Sequence, residues 1–171
     1  MVNKIIKYVL ILATLAWIIY QFSLGNIGNG ILFIFILGIF VLSLFKHELI
    51  MWAFVQLRRG KFDKAEKTLA KIKHPEHLPK TQEAYYYYLT GLIHSQQQNI
   101  TKSEKFFKRA LSIGLRMKTD QAIAKLNLAG IAVMKRKKRE ATNLLAEVKK
   151  LDKNKLLADQ VKMIKEQLKR I

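Results

Sequence analysis

The stretch Gly91-Leu92-Ile93-His94-Ser95-Gln96-Gln97-Gln98-Asn99-Ile100-Thr101-Lys102-Ser103-Glu104-Lys105-Phe106-Phe107-Lys108-Arg109-Ala110 decides the fold, because it has counterparts on both sides at an offset of 38 residues. Gly91 aligns with Ala53 and Ala129, Ser103 with Ala65 and Ala141, Phe107 with Leu69 and Leu145, and Ala110 with Ile72 and Val148. Small residues come where two helices of one hairpin must approach closely, and larger ones four residues on fill the space beside them. A fixed spacing of this kind is the mark of stacked helical repeats. Beyond residue 45 the chain is helix-forming almost throughout, with prolines only at Pro75 and Pro79 and no run of alternating β-branched residues.

Upstream lie two apolar stretches, Ile5–Leu24 and Ile31–Phe45, joined by a loop from Gly25 to Gly30. The first is about the twenty residues that a helix needs to cross hydrocarbon, and the second reaches that length when Ile27 and its small neighbours are included. They predict a transmembrane helical hairpin over residues 1–45. A cleaved signal peptide fits less well, since the first run outlasts an ordinary h-region and ends in Gln21-Phe22-Ser23-Leu24 without a small-x-small pattern. Lys4 and Lys7 precede the hairpin, Lys46, Arg58 and Arg59 follow it, and the loop is uncharged. That distribution predicts an inner-membrane protein with both termini and everything after the hairpin in the cytoplasm. The absence of cysteine is compatible with a reducing compartment.

The repeated residues resemble the tetratricopeptide repeat family. Leu57-Arg58-Arg59-Gly60-Lys61-Phe62-Asp63-Lys64-Ala65 looks like the family's inter-helix turn, with Gly60 at the turn, Phe62 starting the second helix and Ala65 at the crossing. In the second copy Tyr87, Gly91, Ser103, Phe107 and Ala110 fall on the large, small, small, aromatic and small positions. The third has Lys125 where a large apolar residue is expected, then Ala129, Ala141 and Leu145. The resemblance covers roughly residues 47–151 and departs from the usual 34-residue period, which places surplus residues at 73–80 and 114–119. It implies an all-α chain: the membrane hairpin, three repeat-like helical hairpins stacked as an α-solenoid over 46–151, and a C-terminal capping helix within 152–171. Leu157, Val161, Ile164 and Leu168 supply the apolar stripe of that cap. The second span either continues into the first repeat helix or hinges at Lys46-His47-Glu48.

The formal net charge is +19. Lys135, Arg136, Lys137, Lys138 and Arg139 form one inter-helix turn and Arg58, Arg59 and Lys61 the corresponding turn of the first copy, so stacking brings them to one basic edge. Anionic lipid headgroups, ribosomal or other structured RNA and an acidic protein segment could each answer such an edge, and so could solvent alone. The run Tyr85-Tyr86-Tyr87-Tyr88 fills a full helical turn, so its members cannot all point inward. Tyr87 is expected in the core, and Tyr85, Tyr86 and Tyr88 are the candidates for a protein-binding groove.

Ionisable chemistry is thin. His74 and His77 flank Pro75 with Glu76 as their immediate acidic neighbour, which is neither a helix-borne hydrolase pair nor a closed four-ligand site. His47 and His94 have no identifiable acid or nucleophile beside them, no glycine-rich phosphate loop precedes a helix, and Thr101-x-x-Glu104 is a helix-start pattern. The expectation is therefore a protein without catalytic residues, metal, cofactor or small-molecule substrate. It reads as a membrane-anchored adaptor or scaffold that recruits protein partners, those of a membrane complex among them. A basic accessory docking ribosome, RNA or lipid beside an insertion machine is the alternative.

Overall fold

The computed structural model describes residues 4–45 and 48–170, with side chains over 8–38 and 48–170. The described residues form nine α-helices and one 3-10 turn, an all-α fold. The chain divides into two compact units, Met1–Met51 and Trp52–Ile171.

In the first unit, helices α1 (Lys4–Ser23) and α2 (Ile27–Phe45) form a hairpin. Its turn is short, because α2 begins at Ile27, inside the glycine and asparagine segment. The Asn26 carbonyl accepts from Gly30 N–H at 3.1 Å, and Asn26 Nδ2 donates to Gln21 Oε1 at 3.2 Å. Gly25 takes the left-handed φ of +74° that the reversal needs. Gly30 is buried under the Phe22 ring, where an added Cβ would lie 2.7 Å from Phe22 Cε2. Large apolar side chains remain exposed on both helices, among them Leu12, Ile19 and Phe35.

Among the described residues, no helix is long and apolar enough to cross a membrane. This finding corrects the two-span hairpin, and with it the lipid bilayer as a partner and the inner-membrane, multi-pass localisation with a cytoplasmic repeat domain. A span needs about twenty consecutive apolar residues. Thr14, Gln21 and Ser23 interrupt or bound α1, and Asn26 and Asn29 do the same for α2. The junction at Lys46–His47, where continuity or a hinge was at issue, lies outside the described residues.

The second unit is built from successive helical hairpins. Helix α3 (Glu48–Arg58), which belongs to this unit from Trp52 onward, turns into α4 (Phe62–Leu69), α5 (Lys80–Gln96) into α6 (Ile100–Ile113), and α7 (Lys118–Met134) into α8 (Lys138–Leu151). A single 3-10 turn, Pro75–His77, interrupts the connection from α4 to α5. The small residues spaced by 38 lie at the helix crossings: Ala53, Ala65, Ser103, Ala129 and Ala141 are fully buried. At the central crossing Ser103 Oγ donates to the Gly91 carbonyl at 3.1 Å, which satisfies a hydroxyl that burial would otherwise strand. Helices α6 and α8 are amphipathic and bury one stripe each, Ser103, Phe107 and Ala110 in one and Ala141, Leu145 and Val148 in the other.

The three hairpin turns share one backbone design. Lys61, Asn99 and Lys137 N–H groups donate to the Gln56, His94 and Ala132 carbonyls, while Gly60, Gln98 and Arg136 N–H groups donate to Leu57, Ser95 and Val133. That 6→1 and 5→2 pattern is the Schellman motif, and it requires a left-handed residue after the helix. The position is filled by Gly60 (φ +69°), Gln98 (φ +57°) and Arg136 (φ +55°). Only the first turn therefore uses the residue that adopts this region without steric cost. Gln98→Gly is expected to stabilise the second unit by about 0.5–1 kcal/mol after the larger entropy of an unfolded glycine is deducted. Thermal unfolding of the full chain checks this; an unchanged or lower midpoint would show that the turn carries no strain.

The chain ends in α9 (Ala158–Lys169). Asp152 sets its entry by accepting from the N–H groups of Leu156 (3.0 Å) and Leu157 (2.7 Å). Leu157, Val161, Ile164 and Leu168 then cover the cluster formed by Ala122, Leu126, Ala129, Leu145 and Val148.

Candidate protein-binding groove

First helices of successive hairpins line one face of the second unit, and between them runs a groove of about 560 Å³. Helix α3 contributes Phe54, Leu57 and Arg58, α5 contributes Tyr88, Leu92 and Ser95, and α7 contributes Asp120, Ile123 and Asn127. In α5 and α7 these residues recur at i, i+3 or i+4, and i+7, and in α3 at i, i+3 and i+4, the spacings that align side chains along one face. Phe54, Leu57, Leu92 and Ile123 are only half-buried, so the groove presents an incompletely covered apolar wall.

Polar contacts fix the groove's width. Ser95 Oγ donates to Asn127 Oδ1 at 3.0 Å, and Asn127 Nδ2 is held by the Ile123 carbonyl at 2.9 Å. At the other end Tyr85 donates its hydroxyl to Asp120. Burial and the Asp120 carboxylate push the Tyr85 hydroxyl's pKa well above the ordinary phenol value, so it stays a donor. Both contacts join α5 to α7.

The four tyrosines divide differently from expectation. Tyr88 is only 3% exposed and lies at the groove floor, with its ring 6.2 Å from Tyr85 and 6.3 Å from Phe107. It is thus a core residue, whereas Tyr87, expected in the core, is half-buried. Tyr87 stacks on Phe106 at 6.0 Å with Arg109 over its ring at 5.7 Å. Tyr85 closes the groove through Asp120, and Tyr86 packs edge-on against Tyr87 at 5.3 Å outside the groove lining. Among the wall residues overlooked in the sequence are Phe54 and Leu92, each one position after a small crossing residue. That register, 54 and 92, carries the same 38-residue offset as the crossings and could have disclosed them.

The basic residues of the turns are exposed, and side-chain contacts link successive hairpins close to them. Gln97 Nε2 donates to Glu66 Oε2 at 2.7 Å, bridging the first and second hairpins. Glu104 joins the second to the third by accepting from Lys108 at 2.6 Å and from Lys135. Lys137 pairs with Glu140 at 3.4 Å, and Arg58 lies over the Phe54 ring at 5.8 Å. Among the described residues, Arg59, Lys61, Arg136, Lys138 and Arg139 make no ion pair. Lys135 therefore ties the second hairpin to the third, Lys137 makes an exposed local pair, and the other cations of the run remain available.

The hydrogen bonds from Lys108 and Lys135 hold the Glu104 carboxyl down at about 2. Because the folded value lies below the unfolded one, near 4.3, this group stabilises the fold above that unfolded value and loses its contribution as pH falls toward 2. Lys135→Gln is expected to flatten the decline in unfolding free energy across that window, measured by urea unfolding at successive pH values. A decline identical to that of the parent would show that Glu104 does not couple the hairpins.

The family model described as cohesin loading factor matches residues 41–169. This chain belongs to the cohesin loading factor family. The match takes in every helix of the second unit, and it replaces the tetratricopeptide solenoid implied by the repeat spacing. It also overturns the membrane-anchored adaptor and the ribosome, RNA or lipid docking alternative, for which neither the fold nor the family gives support. Membership in this family favours a non-enzymatic, scaffold-like role at a general level, working through protein contacts. No curated protein and no solved structure matches the chain.

Proposed function

We propose that this member of the cohesin loading factor family is a helical scaffold that holds a segment of a protein partner in the groove between α3, α5 and α7. The observation that carries the reading is the groove itself: half-buried apolar side chains on α3, α5 and α7, the last two tied together by Ser95–Asn127 and Tyr85–Asp120. A preformed wall costs little ordering on binding, which favours a recognition surface. The family description makes cohesin the partner to test first. Tyr85 and the Tyr88 floor shape the groove, while Arg58, at its lip, and Arg59, Lys61, Arg136, Lys138 and Arg139 along the edge favour an acidic flank on the bound segment. Tyr86 and Lys135 act as supports, and Lys137 stays in its local pair with Glu140. The working body is the set of hairpins from Glu48 to Leu151 closed by α9.

Binding of purified cohesin to the full chain, measured before and after Leu92→Glu, tests the reading. The substitution is expected to weaken binding by at least tenfold, because it places a charge on the apolar wall while leaving the crossings intact. Combined reversal of Arg136, Lys138 and Arg139 to Glu should chiefly reduce the salt dependence of association. Undiminished affinity in a folded Leu92→Glu protein would remove the groove as the docking surface. Failure of the parent chain to bind would remove cohesin as its partner.

A further inference from the structure

The connection between α4 and α5 assembles three metal-donor groups that lie apart from the groove. The geometry points to a surface site for one divalent transition-metal ion of the zinc class, formed by His74, Glu76 and His77. Their donor atoms all lie within 4.8 Å of one another.

The turn places them there for a backbone reason. With three residues per 3-10 turn, side chains at i and i+3 eclipse. His74 and His77 accordingly stack, their rings 5.3 Å apart and inclined by 22°. His77 N–H donates to the His74 carbonyl at 3.2 Å and Leu78 N–H to the Pro75 carbonyl at 3.1 Å, which closes the turn. Pro75 within the turn and Pro79 just after it restrict the backbone further. Glu76 Oε1 sits 3.0 Å from His74 Nδ1, so the carboxylate and one imidazole already converge.

The donor set selects the ion. Two imidazole nitrogens and one carboxylate are the protein ligands of open zinc sites, with the remaining position left to water. Magnesium and calcium prefer more oxygen ligands than this turn supplies. Zinc bonds of about 2.0–2.2 Å put neighbouring tetrahedral donors roughly 3.4 Å apart. The stacked rings must turn until their lone pairs face one ion, and the exposure of all three side chains leaves room for that. His74 and Glu76 are more than half exposed, and the ion has direct access from solvent. Binding would clip the connection, staple-like, ahead of α5.

Isothermal titration of the metal-free full chain with zinc chloride tests the assignment. One zinc per chain is expected, with an accompanying rise in the thermal midpoint. His74→Ala and His77→Ala should each weaken binding by about tenfold or more, and Glu76→Gln by a smaller factor. His94→Ala, whose ring stacks on Phe106 away from this turn, should leave binding unchanged. Undiminished zinc binding in the folded His74→Ala/His77→Ala double variant would overturn the site, as would an absence of binding in the parent. Magnesium binding as tightly as zinc would overturn the assigned ion class.

Discussion

Phe107→Ala is expected to lower the unfolding free energy by about 3–5 kcal/mol, one of the two largest losses foreseen for a single side chain here. Phe107 is fully buried and touches the Tyr88 ring, and it packs directly beneath Gly91. An added Cβ at Gly91 would lie 2.9 Å from Phe107 Cδ1 and 3.0 Å from Cε1. Gly91→Ala therefore sets an overpacking cost of about 1–3 kcal/mol against a helix-propensity gain of about 1 kcal/mol. A net loss is expected, because the enclosed ring has little room to withdraw. Phe107→Leu removes the clashing ring edge, so Gly91→Ala should cost less in that background than in the parent. Urea unfolding of the two single variants and the double gives the coupling energy. Strict additivity would show that the ring does not determine the glycine.

The same crossing explains what could be read from the sequence. Small residues at 53, 91 and 129, answered by small residues at 65, 103 and 141, are legible because helix axes can approach only where side chains are short. That requirement belongs to any closely packed antiparallel hairpin. It discloses the hairpins and their register but not the family, so the tetratricopeptide resemblance yielded to the cohesin loading factor assignment. The groove was harder to read, since it depends on how hairpins sit beside one another. Tyr88 looked like a surface anchor in a run of four rings, but α5 turns it toward Phe107 and leaves Leu92 on the wall. The apolar content of α1 and α2 was equally plain in the sequence, and so was the reach of the second stretch back to Ile27. Asn26 can begin a helix there through its carbonyl, a local hydrogen bond that hydropathy does not register.

Arg109→Ala is expected to destabilise the chain by about 2 kcal/mol, with a fall in thermal midpoint of roughly 8 °C, even though the arginine is largely at the surface. The cause is its partner. Glu83 on α5 is only 1% exposed, and its carboxylate is held by Arg109 Nη2 at 3.3 Å and Lys80 Nζ at 3.3 Å. Removing Arg109 leaves a buried charge with one highly exposed lysine, and it also uncovers the Tyr87 ring. The reverse change is milder: Glu83→Gln keeps the shape, eliminates the buried charge and leaves Arg109 free to solvate, for an expected loss below about 1 kcal/mol. Lys80→Ala should cost less still, since an exposed ammonium contributes little to an ion pair. Glu83→Gln combined with Arg109→Ala should then be more stable than Arg109→Ala alone, because the group left without its cation is neutral. Equal unfolding free energies for those two proteins would show that Arg109 acts through packing on Tyr87 and not through the carboxylate.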